Sequence, residues 1–548
     1  MDTPTTGART KITGAEAIAR CLESAGIDTV FGIPGFYNMP LFEALRASSV
    51  RLVAVRHEQG ASFMADGYAR ASGREAACLL LPGCGVTNAL TGLSEAYADS
   101  SPVLVLATQV AREFIDRGRG LLHELTGQLA VLGTVSKHSA RIEQADQVRE
   151  VFRVSLRALH TGRPRPVQIE IPVDVQEELL DWPEDERFEE PDFEAPVVPA
   201  ATEIDAAADA LARSERPLIY AGGGCISGDA GDRLVALAKR LGAPVLTTGM
   251  GAGAVPADHS LACGVAWDVS ADLRPLLLAS DALLAVGTRF NESMTRRWSM
   301  PLPAITIRID IDAEEIHRNL TLDHLLVGDA AATLSLLDSV LAARGLDRHG
   351  VVAPQLADAQ AAYRDEQARR VGSTRPWQHA IRASLPRNAI ISADMTVFWA
   401  DMLGSFPIYE PRTMMFPWGM GTLGFALPAA IGAKLACPDQ PVVAIAGDGG
   451  VLFTGAELAT AVQEQLAIPV LIVNNHGYGM IKKQQLERYG EDVAVDLHVP
   501  DFMKLAESFG AGGEHVDTPE QLGAAVERAL AAPVPTLIEI PWGYEFAT

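Results

Sequence analysis

Residues 447–480 read GDGGVLFTGAELATAVQEQLAIPVLIVNNHGYGM, and the fold follows from what stands on either side of the first four. The run Val442–Ala446 just before them is apolar without alternation, the mark of a strand buried on both faces. At Gly447-Asp448-Gly449-Gly450 glycine lets the backbone turn sharply and come close to a ligand. Ala456–Gln465 has apolar residues at helical spacing, and a second apolar strand, Pro469–Val473, ends at Asn474-Asn475. In a parallel sheet built this way, neighbouring strands bring their C-terminal ends together, so Asp448 and Asn475 are expected to meet there. A carboxylate, an amide oxygen and free loop carbonyls suit Mg²⁺, which usually takes one or two carboxylates plus phosphate oxygens. The adjacent helix N-terminus would face the phosphates. A GDG alone is more often a turn with a capping Asp; the Asn pair at the next strand end favours a ligand site.

The same alternation of strands and helices extends along the chain. In the first block, helices are expected over Gly14–Ala25 and Ala61–Arg70. Strands are expected at Thr29–Gly32, Leu52–Val55, Ala77–Leu81, Pro102–Ala107 and Val167–Pro172. A second set has Pro217–Tyr220, Pro244–Leu246, Ala282–Val286 and Ile305–Ile311, and a third runs from Ala389–Ile391 to Leu537–Pro541. The pattern predicts an α/β protein of three doubly wound parallel-sheet domains, residues 12–180, 204–345 and 376–548. Residues 1–11 read as disordered, and 181–203 (acidic and proline-rich) and 346–375 as linkers. PVQIEIP (166–172) closes the first block and PTLIEIP (535–541) the third, which suggests duplicated domains around a different middle one.

With 548 residues the chain is too long for one core, and 48% hydrophobic with 21% charged residues is a globular composition. A formal charge of −24 argues against nucleic acid or an anionic membrane as partner. The six cysteines are scattered without a CxxC pair and read as small hydrophobes in a reducing compartment. No apolar run has the length of a membrane span and the N-terminus carries no signal-peptide core, so a cytoplasmic location is expected.

Two more stretches carry chemistry. Glu58, in HEQG (57–60), directly follows an apolar strand, where an acid is commonly just solvated. Gly419–Gly424, GMGTLG, before a helix over Phe425–Ala436, is formally a dinucleotide-binding turn with Asp448 as the acid on the following strand. An NAD-dependent oxidoreductase is therefore the rival from another class. Against it, Phe416-Pro417-Trp418 makes a poor buried strand, and a ribose-binding acid has no need of flanking glycines.

GDGG followed one βαβ unit later by NN resembles the thiamine-diphosphate signature of the acetolactate synthase and pyruvate decarboxylase superfamily. HEQGASFMADGYAR (57–70), DMT (394–396) and GMGTLG resemble further segments of it, and the resemblance runs from about Thr13 to Ile540. It implies that the first and third domains are a thiamine-diphosphate-binding pair. Asp448, the Asn475 side chain and the Gly477 carbonyl would coordinate Mg²⁺, with Gly449 and Gly450 beside the cofactor diphosphate and Thr396 donating to it. Leu423 would wedge between the two cofactor rings, the Gly421 carbonyl would accept from the 4′-amino group, and Glu58 would hydrogen-bond the aminopyrimidine. A carboxyl group sharing a proton with that ring favours the imino tautomer, which can remove the thiazolium C2 proton. Because the superfamily bridges these blocks from two subunits, a homodimer or homotetramer is implied.

On the substrate side, GCGVTN (83–88) has Cys84 where the superfamily has proline. With no adjacent base in view, packing is its expected role. RGRGLLHEL (117–125) has Leu122-His123-Glu124 where acetolactate synthases have Phe-Gln-Glu. With VDLHVPDF (495–502) it resembles the 5-guanidino-2-oxopentanoate decarboxylases. That implies non-oxidative decarboxylation of a 2-oxo acid to an aldehyde, with His123 either a proton donor or a satisfied loop histidine. His476 and Tyr478 are further candidates for contacting substrate, and Glu124 and Glu487 for holding a guanidinium. The nearest alternative is acetolactate-synthase-like carboligation to a second carbonyl compound. Glycine turns at 222–224, 248–251 and 287–290 resemble FAD-binding stretches of acetolactate synthases, but FAD is not expected here.

Overall fold

Residues 9–183, 195–266 and 273–543 are described by the computed structural model. In chain order the strands of the first block are β1 (Arg9–Thr13), β2 (Thr29–Gly32), β3 (Arg51–Ala54), β4 (Ala76–Leu80), β5 (Val103–Gln109), β6 (His138–Arg141), β7 (Val167–Pro172) and β8 (Leu179–Pro183). The middle block has β9 (Pro217–Ala221), β10 (Val245–Thr247), β11 (Ala262–Val265), β12 (Ala282–Val286), β13 (Ile305–Asp310) and β14 (His324–Val327). The third has β15 (Ile390–Ala393), β16 (Met414–Met415), β17 (Val442–Gly447), β18 (Pro469–Asn474), β19 (Gly512–His515) and β20 (Thr536–Pro541).

Three six-stranded parallel sheets result. The first runs β3-β2-β4-β5-β7-β6 and the third β16-β15-β17-β18-β20-β19, the same crossover pattern strand for strand. β7 and β20, the two strands with the shared IEIP ending, occupy the same slot. The middle sheet, β11-β10-β9-β12-β13-β14, has a different order. One apolar core runs continuously from the first block (Phe31, Phe63, Leu93) into the third (Phe425, Ile431, Val470), so the duplicated pair packs as a unit. At its centre the helices Glu58–Ser72 and Ala426–Ala436 cross with their backbones almost touching. A Cβ at Gly67 would lie 2.2 Å from the Ala429 carbonyl oxygen, and one at Gly432 would lie 1.9 Å from that of Met64. Phe63 and Phe425 meet edge to face beside the crossing, 5.5 Å between centroids.

Three expectations about order and linkers are corrected. Arg9–Lys11, read as disordered, belong to β1, which pairs antiparallel with β8 (Ile12 opposite Leu180). Residues 1–8 lie outside the described residues. Of the segment read as the first linker, Asp181–Pro183 belong to β8 and the helix Ala201–Arg213 begins before its end; residues 184–194 lie outside the described residues. The second linker contains the 17-residue helix Pro354–Arg370, which buries Leu356, Gln360, Tyr363 and Gln367. No described helix is long and apolar enough to cross a membrane.

Candidate functional site

β17 and β18 are adjacent and parallel, with Gly447 opposite Val473, so Asp448 and Asn475 both emerge at one sheet edge. The GDGG segment is not a sharp turn, contrary to the sequence reading. Gly447 is an extended N-cap (φ −81, ψ 161), and Asp448 opens the helix Asp448–Thr454, continued by Gly455–Glu457 and Leu458–Gln463. The glycines are there for room. A Cβ at Gly449 would lie 2.9 Å from the Tyr478 ring, and one at Gly450 2.9 Å from Asp394 Oδ2.

Asp448 is 1% exposed; its Oδ1 accepts from the Gly449 amide and its Oδ2 from the Gly477 amide, both at 2.9 Å. Burial raises its pKa, and those amides oppose the rise. The asparagine pair divides its work. Asn474 Nδ2 donates to Glu539 Oε1 at 2.6 Å and its Oδ1 accepts from the His476 amide at 3.1 Å, so it builds the loop. Half-buried Asn475 follows at the mouth, then exposed His476 in the left-handed region (φ 58). Thr396 caps the helix Val397–Met402 by accepting from the Trp399 amide at 2.9 Å, which leaves its hydroxyl proton to donate. Its methyl would stand 3.5 Å from a Cβ at Gly447.

The GMGTLG turn does need glycine's freedom: φ is 65 at Gly421 and 79 at Gly424. Half-buried Leu423 sits between them. Asp394, fully buried, lies underneath and accepts from the Gly424 amide at 3.1 Å and the Ala426 amide at 2.9 Å. Burial pushes its carboxyl up to about 7, against those amides. Asp394-Met395-Thr396 is expected near the diphosphate with Thr396 as donor; the hold of Asp394 on the glycine turn has no signal in the sequence beyond its place at the end of β15. The geometry also removes the nicotinamide reading. β15 stands between β16 and β17, so Asp448 is not on the strand neighbouring the one that feeds the glycine turn, where a ribose-binding acid must be.

Glu58 is the first residue of the helix Glu58–Ser72, not a loop acid, and is 6% exposed. Its Oε2 accepts from Asn88 Nδ2 at 3.0 Å, and a Cβ at Gly85 would lie 3.3 Å from its Oε1. Asn88 and Gly85 come from the GCGVTN segment, which opens the helix Cys84–Asp99. Cys84 at that helix start is exposed, and its Sγ lies 3.2 Å from His123 Nδ1. The expectation of a packing role without a nearby base is thereby corrected: the base comes from 39 residues further along the chain. His123 is held in the left-handed region (φ 61), with its ring edge-on to Tyr37. Glu124 is occupied by the amides of Arg119, Gly120 and Leu121, and Glu487 stands on an exposed helix face.

The site residues thus form two sets, one around Glu58 in the first block and one around Asp448 in the third. No hydrogen bond among the described residues joins Glu58 to Asp448. Separately, the middle domain's glycine turns line a cavity of about 500 Å³ with Arg163, Arg289 and Asp310 on its wall. Asp310 there is already paired with buried Arg308 at 2.8 Å.

Family comparisons agree with this architecture domain by domain. The N-terminal thiamine pyrophosphate (TPP) binding domain of the thiamine pyrophosphate enzymes matches residues 12–131, their central domain 204–337 and their C-terminal TPP binding domain 394–540. A probable 2-ketoarginine decarboxylase of Pseudomonas aeruginosa is 36% identical, over 96% of this chain and 94% of its own. A probable acetolactate synthase large subunit of Methanocaldococcus jannaschii is 35% identical, over 96% and 91%. An acetolactate synthase of Mycobacterium bovis is 34% identical, over 95% and 86%. With three matched domains in order and full-length relatives at this identity, the chain belongs to the thiamine pyrophosphate enzyme family, and thiamine diphosphate is its cofactor.

Proposed function

We propose that this enzyme is a Mg²⁺-dependent decarboxylase that converts a 2-oxo acid, 5-guanidino-2-oxopentanoate, to its aldehyde. The observation that carries the choice is the imidazole of His123 held against Cys84, at the start of the helix that also supplies Asn88 to Glu58. Decarboxylation to an aldehyde ends with a proton delivered to carbon, and an imidazole is a group that can supply one. The substrate assignment is supported by the 2-ketoarginine decarboxylase among the relatives.

The residues present fit the cofactor. Asp448 is a buried carboxylate whose oxygens each take one backbone amide, leaving lone pairs for a cation. With the Asn475 side chain and the Gly477 carbonyl it would hold Mg²⁺ and leave positions for phosphate oxygens. Gly449 and Gly450, which let Tyr478 and Asp394 pack close, would lie beside the diphosphate, and Thr396 would donate to it. Gly421 and Leu423 would shape the ring site. When bound, thiamine diphosphate supplies a carbon nucleophile and an electron sink for loss of CO₂. Glu58, with Oε2 fixed by Asn88, presents Oε1 to share a proton with the aminopyrimidine. The family resemblance supports a cofactor shared between subunits, the Glu58 set of one and the Asp448 set of the other, in a homodimer, alone or paired into a homotetramer. The free cysteines fit a cytoplasmic location.

A second reading, carboligation, is supported by the acetolactate synthases among the relatives; a second carbonyl compound then takes the place of the proton. Incubating holoenzyme with a panel of 2-oxo acids and identifying products by mass spectrometry tests both. The expected products are 4-guanidinobutanal and CO₂. An acetohydroxy acid from pyruvate would replace the first reading with the second, and inert 2-oxo acids throughout would sink both.

A further inference from the structure

Two buried glutamates outside both sets are arranged alike. Glu457 is 1% exposed and Glu95 0%. Each lies on the helical stretch that follows the third strand of its own sheet order, β17 and β4 respectively. Each reaches into the other block and takes the main chain of the turn leading into one of the two crossing helices.

Glu457 Oε1 accepts from the His57 amide at 2.9 Å and the Arg56 amide at 3.1 Å, while its Oε2 accepts from Thr460 Oγ1 at 2.6 Å. Glu58 is the next residue along. Glu95 Oε1 accepts from the Gly419 amide at 2.9 Å, and its Oε2 from Thr422 Oγ1 at 3.0 Å and the Met420 amide at 3.3 Å. Gly421 and Leu423 interleave with those donors. Glycine is needed at both turns, at the first against the gripping carboxylate itself and at the second against the helix that carries Glu95. A Cβ at Gly60 would lie 2.2 Å from Glu457 Oε1, and one at Gly419 would lie 2.3 Å from Ala98 Cβ.

We propose that Glu457 and Glu95 are a reciprocal pair of positioning residues. The third block holds the turn that aims Glu58, and the first block holds the turn that aims Gly421 and Leu423. A carboxyl group does this well because two oxygens on a short side chain can fasten two or three consecutive donors at once. Among the described residues the main chain of Arg56–Glu58 has no other inter-block hydrogen bond, and only the Arg56 side chain is tied across as well, to Gln463 Oε1 at 2.9 Å, so losing Glu457 loosens the N-cap from which Glu58 projects. Displacement of a reacting group by about 1 Å costs on the order of 100-fold in rate. The inference rests on the reading of Glu58 as the ring-activating acid.

The test is hydrogen–deuterium exchange at C2 of thiamine diphosphate bound to the holoenzyme, read by proton NMR after acid quench, with cofactor content measured alongside. Glu457→Ala should slow exchange by about 10- to 100-fold with cofactor retained. Glu457→Asp, one methylene shorter, should fold and lie in the same direction. Glu457→Gln keeps an oxygen for Arg56 and His57 and can donate to Thr460, so it should restore exchange to within about threefold. Glu95→Ala should also slow exchange, and Glu95→Gln should spare it. Arg51→Ala removes the inter-block ion pair with Glu464 (2.6 Å) without touching either turn and should leave exchange unchanged. Wild-type exchange in Glu457→Asp and Glu457→Ala would overturn the proposal, as would an equal loss in Arg51→Ala, which would reduce the effect to block packing. Glu58→Ala separates the two layers: if it too exchanges like wild type, the reading of Glu58 falls, whereas slow Glu58→Ala beside normal Glu457 variants removes this inference alone.

Discussion

Glu58 and Asp448 make different demands on their surroundings, and their variants should fail differently. Glu58 opens a helix with one oxygen fixed by Asn88, so replacing it changes what reaches the ring and little else. Glu58→Ala is expected to lower kcat by about 100- to 10,000-fold, the usual span of a positioned acid–base group. Thiamine diphosphate binding, followed by calorimetry, should persist. Full turnover in that variant would remove the ring-activation argument. Asp448→Ala should instead release Mg²⁺ and cofactor together, since it takes away the carboxylate proposed to hold the metal, while neighbouring Asp394 is engaged by the Gly424 and Ala426 amides; metal analysis and cofactor content after desalting read this directly. Both acids were legible because each stands in a short glycine-bearing motif at a strand end. The roles of Asp394, Glu95 and Glu457 were not, because their backbone donors are 30 to 401 residues away in the chain and nothing local marks an acid as a grip on a distant backbone. Cys84 and His123 failed to be paired for the same reason: a base 39 residues off cannot be seen from spacing.

At the scale of elements, the strands were readable because both faces of a parallel sheet are buried, which leaves uninterrupted apolar runs such as Val442–Ala446. The helix Pro354–Arg370 escaped because its buried stripe, Leu356, Gln360, Tyr363 and Gln367, is half glutamine. Gln360 donates to the Ser260 and Ala262 carbonyls and Tyr363 to the Val265 carbonyl, so polar groups do the docking and apolar periodicity never appears. GDGG misled in the opposite direction: glycine was taken as a sign of a bend, whereas Tyr478 and Asp394 need the space. The crossing of Glu58–Ser72 with Ala426–Ala436 is the sharpest test of that second use of glycine. At Gly432 an added methyl would meet a backbone carbonyl at 1.9 Å, and backbone at a helix crossing cannot swing aside as a side chain can. Gly432→Ala is expected to cost about 3 kcal/mol, read as a lowered urea midpoint. An unshifted midpoint would mean the two blocks can separate slightly at no cost, and the shared core would not be the rigid frame described above.

Across the whole molecule, the junction of the first and third blocks carries a pH dependence of its own. Asp66, Glu95 and Asp99 surround the single buried guanidinium of Arg70, which pairs with Asp66 at 2.8 Å and Asp99 at 3.2 Å. Three acids around one cation cannot all ionise cheaply. Burial first, then repulsion from Asp99, pushes Glu95 up to about 8, with Arg70 opposing, while burial raises Asp66. An unfolded glutamate titrates near about 4.3. Between those values the folded chain holds a proton that the unfolded chain does not, so the contribution to stability is complete below about pH 4.3, declines as pH rises, and is gone above about 8. Glu95→Gln is neutral at every pH and keeps the volume. The difference in unfolding free energy between wild type and this variant should therefore shift against the wild type by about 1 kcal/mol per pH unit from pH 5 to 8, then level off. Thermal or urea unfolding of holoenzyme over that range supplies the curves, and taking their difference cancels the titrating groups outside this cluster. Parallel curves would mean that Glu95 is ionised throughout. The amides of Gly419 and Met420 would then outweigh burial and Asp99, and the two blocks would be joined by a permanent anion instead of a carboxyl group that gives up its proton as the solution turns alkaline.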